Sequence, residues 1–208
     1  MEDRLLKYFP NLTVQQIEKF SLFSELFLDW NSKINLISRK DSENLFEHHI
    51  LHSLSIAKFF DFAAHINIID VGTGGGFPGI PLALYFPNVN FTLVDSIAKK
   101  INVVKDISEK LGLQNVKAIN ARAETLKPDF DFIVCRAVTN FNDFYQLTKK
   151  LFRNGKNSQQ GMISLKGGDI INETSNFKNI IIYSISDVYE EVFFETKKII
   201  FLQKNFAV

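Results

Sequence analysis

A chain of 208 residues, 46% of them hydrophobic, suffices for one sizeable core plus an extension. A single cysteine, Cys135, excludes an internal disulfide framework and a cysteine-based zinc cluster, and a net charge of +1 gives no global field that would draw the chain onto a polyanion. The start, Met1-Glu2-Asp3-Arg4, lacks the basic-then-apolar layout of a signal peptide, and no apolar run approaches the ~18 residues of a membrane span, so a cytoplasmic protein without membrane contact is expected, by default a monomer.

Thr13-Val14-Gln15-Gln16 spells a capping box, and Ile17, Phe20, Phe23, Phe27 and Trp30 recur behind it at helical spacing. A second helix is expected from near Asp41-Ser42 through Leu45, His49, Ile56 and Phe59, ending before His65. Residues 1–65 therefore read as a helical extension packed on the remainder of the chain. The 21 phenylalanines fall mostly at periodic positions and read as packing. His48 and His52 lie one helical turn apart, but no acidic third ligand stands at a fixed spacing. They read as helix surface or RNA contact, and no metal is expected.

From residue 66 short apolar runs alternate with amphipathic stretches, the pattern of a mostly parallel sheet. Strands are expected near 66–71, 90–95, 115–120 and 130–135, and helices near 79–86, 97–111 and 141–152. Lys156-Asn157-Ser158-Gln159-Gln160 reads as an exposed loop, and the run Met162 to Leu165 as a strand leading into Lys166-Gly167-Gly168. Two further runs, Asn179 to Ile185 and Val192 to Leu202, suggest an antiparallel hairpin closing the sheet edge. Residues 66–208 thus read as one α/β, Rossmann-like domain with a seven-stranded, mostly parallel sheet. That is the architecture of class I methyltransferases.

The stretch Asp70 to Gly79 holds five of the ten glycines directly after the first predicted strand, so the backbone there turns tightly and admits close approach of a ligand. One strand-helix-strand unit later, Phe91-Thr92-Leu93-Val94 ends in Asp95, a carboxylate placed to accept from both hydroxyls of a ribose. The same glycines match a dinucleotide fingerprint. Pro78 and Pro81, however, remove amide donors from the helix start that would hold a pyrophosphate. S-adenosylmethionine carries no phosphate, and the pattern favours that cofactor.

Trp30-Asn31, Ile34-Asn35-Leu36, the run His49 to Leu54, Asp70 to Pro81, Leu93-Val94-Asp95-Ser96 with Lys99-Lys100, Cys135-Arg136-Ala137 and Leu165-Lys166-Gly167 together give the chain a specific likeness. It resembles the bacterial small-subunit ribosomal RNA methyltransferase G family, also called glucose-inhibited division protein B, over nearly its whole length. The resemblance implies methyl transfer from S-adenosylmethionine to N7 of a guanosine in the 530 loop of 16S rRNA. It implies the small ribosomal subunit or its precursor as partner, and cofactor contacts at Gly72, Phe77, Ala123-Glu124 and Arg136. His52 and Lys197 depart from the family pattern, in which Asp and Arg are common at these places.

The residues assign Gly72 and Gly74 to close backbone approach, Asp95 to the ribose and Asp70 to the methionine amino group, directly or through water; the resemblance implies that the Ala123-Glu124 segment meets the adenine edge. Guanine N7 already offers a lone pair, so the reaction needs alignment and no general base. Arg136, at the end of the fourth predicted strand, is the best candidate for a catalytic role. A donor bonded to N7 would block the attack, so guanine is expected to be held through O6 and its opposite edge. Candidate RNA contacts are Arg39, His49, Lys100, Lys166 and Lys197. Competing readings are a methyltransferase of the same fold acting on a small molecule or protein, and a non-catalytic rRNA-binding assembly factor.

Overall fold

The computed structural model describes residues 1–136, 140–154 and 160–204. Ala137 of the Arg-Ala motif and residues 156–159 of the predicted polar loop lie outside them.

Seven strands form one sheet: β1 (Asn67–Val71), β2 (Asn90–Asp95), β3 (Val116–Asn120), β4 (Phe132–Arg136), β5 (Gly161–Gly167), β6 (Ile180–Ser184) and β7 (Lys197–Gln203). Their order is β3-β2-β1-β4-β5-β7-β6. The first five are mutually parallel, and β7 runs antiparallel to both neighbours, β5 and β6. Central parallel strands are covered on both faces, and β1 accordingly buries Ile68 to Val71. Ile68 joins the core on one face and Ile69 the core on the other.

Helices α1 (Glu2–Tyr8), α2 (Val14–Lys33), α3 (Arg39–Ser42), α4 (His52–Leu54) and α5 (Ile56–Phe59) precede the sheet, and α6 (Gly79–Tyr85), α7 (Ala98–Lys110), α8 (Phe141–Thr148) and α9 (Ile171–Thr174) are interleaved with it. The capping box at Thr13 is formed, with Gln16 N donating to Thr13 Oγ1 at 3.2 Å and Thr13 N to Gln16 Oε1 at 3.1 Å. Helix α2 lies against the glycine loop through Phe23 and Phe27, whose rings sit 5.4 and 5.0 Å from that of Phe77. A Cβ on Gly75 would stand 2.6 Å from Phe27 Cε2, so only glycine lets the loop and α2 approach this closely. Trp30 Nε1 donates to Asp106 on α7 at 2.7 Å, and Asn31 Oδ1 accepts from Leu36 N and Ile37 N at 2.9 Å each, fixing the turn after α2.

The structure departs from the sequence expectations at several points, among them Gln160, expected in an exposed loop but buried. Helix α1 carries no sequence signal of its own: it has no side-chain cap and is held by packing of Leu5 and Tyr8 and by Arg4 pairing with Glu47 at 2.7 Å. The expected single helix after Asp41 is instead α3, a π-helical segment Leu45–Leu51, α4 and α5. There Ser53 and Ser55 turn their hydroxyls back to the carbonyls of His49 and His52, which competes with regular helix. The expected helix near 141–152 ends at Thr148 and continues as a 3₁₀ turn, Lys149–Leu151. The last strand starts at Lys197 rather than Val192, because Val192–Phe194 form a 3₁₀ turn that sends Phe193 onto His48 and Phe194 onto Tyr189. No helix among the described residues is long and apolar enough to cross a membrane.

Candidate active site

The strand order reverses between β1 and β4, and in open α/β sheets ligands bind at the C-terminal edge beside such a point. A cavity of about 540 Å³, lined by Thr13, Gln16, His65, Asn90 and Asn115, lies at the opposite edge, away from these strand ends. Two smaller cavities open at the C-terminal edge.

The first, about 350 Å³, is lined by Val71, Gly72, Val94, Asp95, Ser96, Ala121, Arg122, Ala123, Glu124 and Leu147. It brings together four of the residues singled out in the sequence, Gly72, Asp95, Ala123 and Glu124, from three successive strand ends. Gly74 adjoins it: Gly74 N donates to Asp95 Oδ2 at 3.0 Å, while Asp95 Oδ1 accepts from Ile97 N at 2.9 Å. Gly74 adopts φ +59°, a conformation that disfavours side chains, and a Cβ there would meet nothing within 4 Å. A bare loop facing open space is what close approach of a ligand requires.

Asp70 lies behind the loop, fully buried. Its Oδ2 accepts from Thr73 Oγ1 at 2.6 Å and from Gly79 N at 2.9 Å, while Oδ1 has no partner. Burial raises its pKa to about 7 against the opposing pull of those two hydrogen bonds. Asp70 also consumes the first amide of α6. Ile80 N goes to Gly76 O at 2.7 Å and Pro81 has no N–H, so the first turn of α6 keeps no amide for a phosphate. The helix start is closed to a pyrophosphate, and S-adenosylmethionine fits what remains: an open glycine turn, a carboxylate and an apolar wall.

The second cavity, about 450 Å³, is lined by Asp41, His48, His49, His52, Arg136, Leu165, Lys166, Gly167, Glu173, Phe193 and Lys197. Arg136 ends β4, with Nη1 donating to His48 O at 3.2 Å, Nη2 2.7 Å from His49 Nδ1 and the guanidinium 4.9 Å from the Phe77 ring centroid. Burial lowers its pKa to about 10, which leaves it charged at neutral pH. A guanidinium only donates, so His49 Nδ1 accepts and the ring hydrogen sits on Nε2, a buried atom without a partner. Burial, and then the Arg136 charge, lower His49 to about 3, and burial holds His52 well below its ordinary value. Both rings are neutral. Burial also pushes Cys135 up to about 12, so it is no nucleophile.

Neutral burial makes His49 an acid-sensitive element. Its folded pKa is depressed, so its stabilising contribution is present above the unfolded value near 6.5 and is lost as pH falls, by ~2 kcal/mol between pH 6.5 and 5. Urea unfolding of wild type and His49→Asn should show the stability difference shifting by that amount towards the asparagine variant on acidification. A constant difference would mean that this imidazole titrates normally.

Of the remaining sequence candidates, Lys166 and Lys197 join His49 and Arg136 in the second cavity, whereas Arg39 and Lys100 line neither. The Phe77 ring is buried among Phe23, Phe27 and His49, so a contact from Phe77 to a cofactor would come from its backbone. Sequence reasoning did not single out Asp41, Phe193 or Glu173. Phe193 stacks on His48 at 3.9 Å with ring planes 15° apart, and Glu173 Oε2 accepts from Lys166 Nζ at 2.9 Å.

A family model described as GidB, rRNA small subunit methyltransferase G, matches residues 16–204. The chain belongs to this family. It is 52% identical over 206 residues to the ribosomal RNA small subunit methyltransferase G of Flavobacterium johnsoniae, covering 98% of this chain and 99% of the relative. To the protein of the same name from Bacteroides thetaiotaomicron it is 50% identical over 202 residues, covering 96% and 98%. Among solved structures, a SAM-dependent O-methyltransferase from Thermotoga maritima matches with TM-score 0.61 at 13% identity, covering 81% of this chain and 71% of that one. TYW2 of M. jannaschii in complex with AdoMet matches with TM-score 0.56 at 12% identity, covering 76% and 75%. These likenesses confirm the Rossmann-like methyltransferase fold expected from the sequence.

Proposed function

We propose that this chain transfers a methyl group from S-adenosylmethionine to N7 of a guanosine in the 530 loop of 16S rRNA, within the small ribosomal subunit or its precursor. Its relatives' name supports the rRNA class of substrate. The observation that carries the reading is the placement of two unlike cavities on neighbouring strands. Val71, the last residue of β1, lines the cavity with the glycine turn and Asp95, and Arg136, the last of β4, lines the cavity rich in cations and rings. The two strands are hydrogen-bonded neighbours, about 4.8 Å apart, so a donor in one cavity and a base in the other meet across a single strand spacing.

S-adenosylmethionine supplies an electrophilic methyl on a sulfonium. The protein's part is to hold N7 within ~3 Å of it and in line with the leaving sulfur. Neutral His49 and His52 and protonated Arg136 suit this task, since N7 needs no base to free its lone pair. The half-buried His48–Phe193 stack offers an aromatic wall for a base splayed out of an RNA loop.

The test is incubation of the purified protein with small ribosomal subunits and methyl-labelled donor, followed by chemical strand scission at 7-methylguanosine. One cleavage in the 530 loop is expected. Label confined to protein or small molecules, or rRNA label that gives no scission, would overturn the proposal.

A further inference from the structure

Guanine presents an acceptor, O6, beside two donors, N1–H and the N2 amino group, and an enzyme acting at N7 has this edge left over for recognition. A reader therefore needs one donor next to one acceptor. The second cavity is mostly donors: Arg136, Lys166, Lys197 and the Nε2 hydrogen of His49. Its two carboxylates differ. Asp41 has both oxygens engaged, Oδ1 with His48 Nδ1 at 3.2 Å and Oδ2 with Ser38 Oγ at 3.1 Å. Glu173 binds Lys166 Nζ and Phe141 N through Oε2, each at 2.9 Å, and its Oε1 takes no partner among the described residues. Lys166, on β5 next to Leu165, which pairs with Arg136, has a side chain only 11% exposed; its ammonium is thus held by Glu173 inside the cavity.

We propose that the Lys166–Glu173 ion pair reads the guanine edge, Lys166 Nζ donating to O6 and the Glu173 carboxylate accepting from N1–H and the N2 amino group. The pair stands ready-made, with donor and acceptor 2.9 Å apart, so little ordering is needed when the base enters. Adenine would set an amino donor against the ammonium and an acceptor against the carboxylate, and is rejected on both counts. This inference rests on the guanine-N7 reading and extends it by naming what selects the base.

The experiment compares small subunits whose 16S rRNA carries either guanosine or inosine at the target; inosine lacks only the N2 amino group. Wild type is expected to favour guanosine by ~10-fold in kcat/KM, the scale of one charge-assisted hydrogen bond. In Glu173→Gln, which keeps an oxygen for Phe141 N, activity on guanosine should fall ~10-fold or more and the preference should collapse towards one. Affinity for S-adenosylmethionine, measured by calorimetry, should stay unchanged. Lys166→Met should lower both substrates alike, because both carry O6. A wild type that treats the two bases equally overturns the proposal without reference to any variant, as does a glutamine variant that retains the full preference. A wild type giving no 7-methylguanosine at all would instead overturn the reading beneath it.

Discussion

Asp95→Ala is expected to weaken S-adenosylmethionine binding ~10²–10³-fold in calorimetry, on the proposed placement of the ribose against this carboxylate. Asp95 ends β2 and is 8% exposed, with its two oxygens turned to Gly74 N and Ile97 N. Each carboxylate oxygen has a second lone-pair direction, and a vicinal diol can use both. Two charge-assisted hydrogen bonds, each worth ~1.5–3 kcal/mol, total ~3–6 kcal/mol, or about 10²–10⁴-fold, and water entering the vacated site recovers part of that. The loop is affected as well: without Asp95, Gly74 loses the acceptor that holds it against β2. Asp95→Asn, which keeps one oxygen, should fall between alanine and wild type. An alanine variant that folds and binds within threefold of wild type would remove Asp95 from the cofactor site.

Much of this site was legible in the sequence because its signals are local. Glycines after an apolar run, an aspartate one unit later and an arginine ending the fourth strand each sit at a strand's C-terminal end, where fold and chemistry coincide. Gly72, Asp95, Ala123 and Glu124 accordingly line one cavity, and His49, Arg136, Lys166 and Lys197 the other. What escaped depends on contacts between residues far apart in the chain. Glu173 owes its place in the cavity to a four-residue helix, too short to carry a periodic signal, and Phe193 sits in a run that reads as part of the last strand. Helix α1 has seven residues and no capping side chain, and it exists because Leu5 and Tyr8 find the core. The ring of Phe77 serves the packing of α2, and its place in the glycine loop gives no sign of which way the side chain turns.

Asp70 is expected to set a pH dependence of stability opposite in sign to that of the histidines. Its folded pKa, about 7, lies above the ordinary value of 3.8, so the folded state holds a proton that the unfolded chain releases. Its contribution is complete below about pH 4 and is lost as pH rises through about 7. Between pH 5 and 8 the loss is on the order of 2 to 3 kcal/mol. In wild type this is masked, because His49 and His52, buried neutral, gain over the same range. Subtraction isolates it. Asp70→Asn keeps an oxygen to accept from Thr73 Oγ1 and Gly79 N, cannot ionise, and leaves both histidines in place. Urea unfolding at pH 5 and pH 8 should therefore show the asparagine variant gaining on wild type by that amount as pH rises. A difference that stays level would mean that Asp70 is ionised at both pH values, its charge balanced by Arg136, and that burial does not govern this carboxylate.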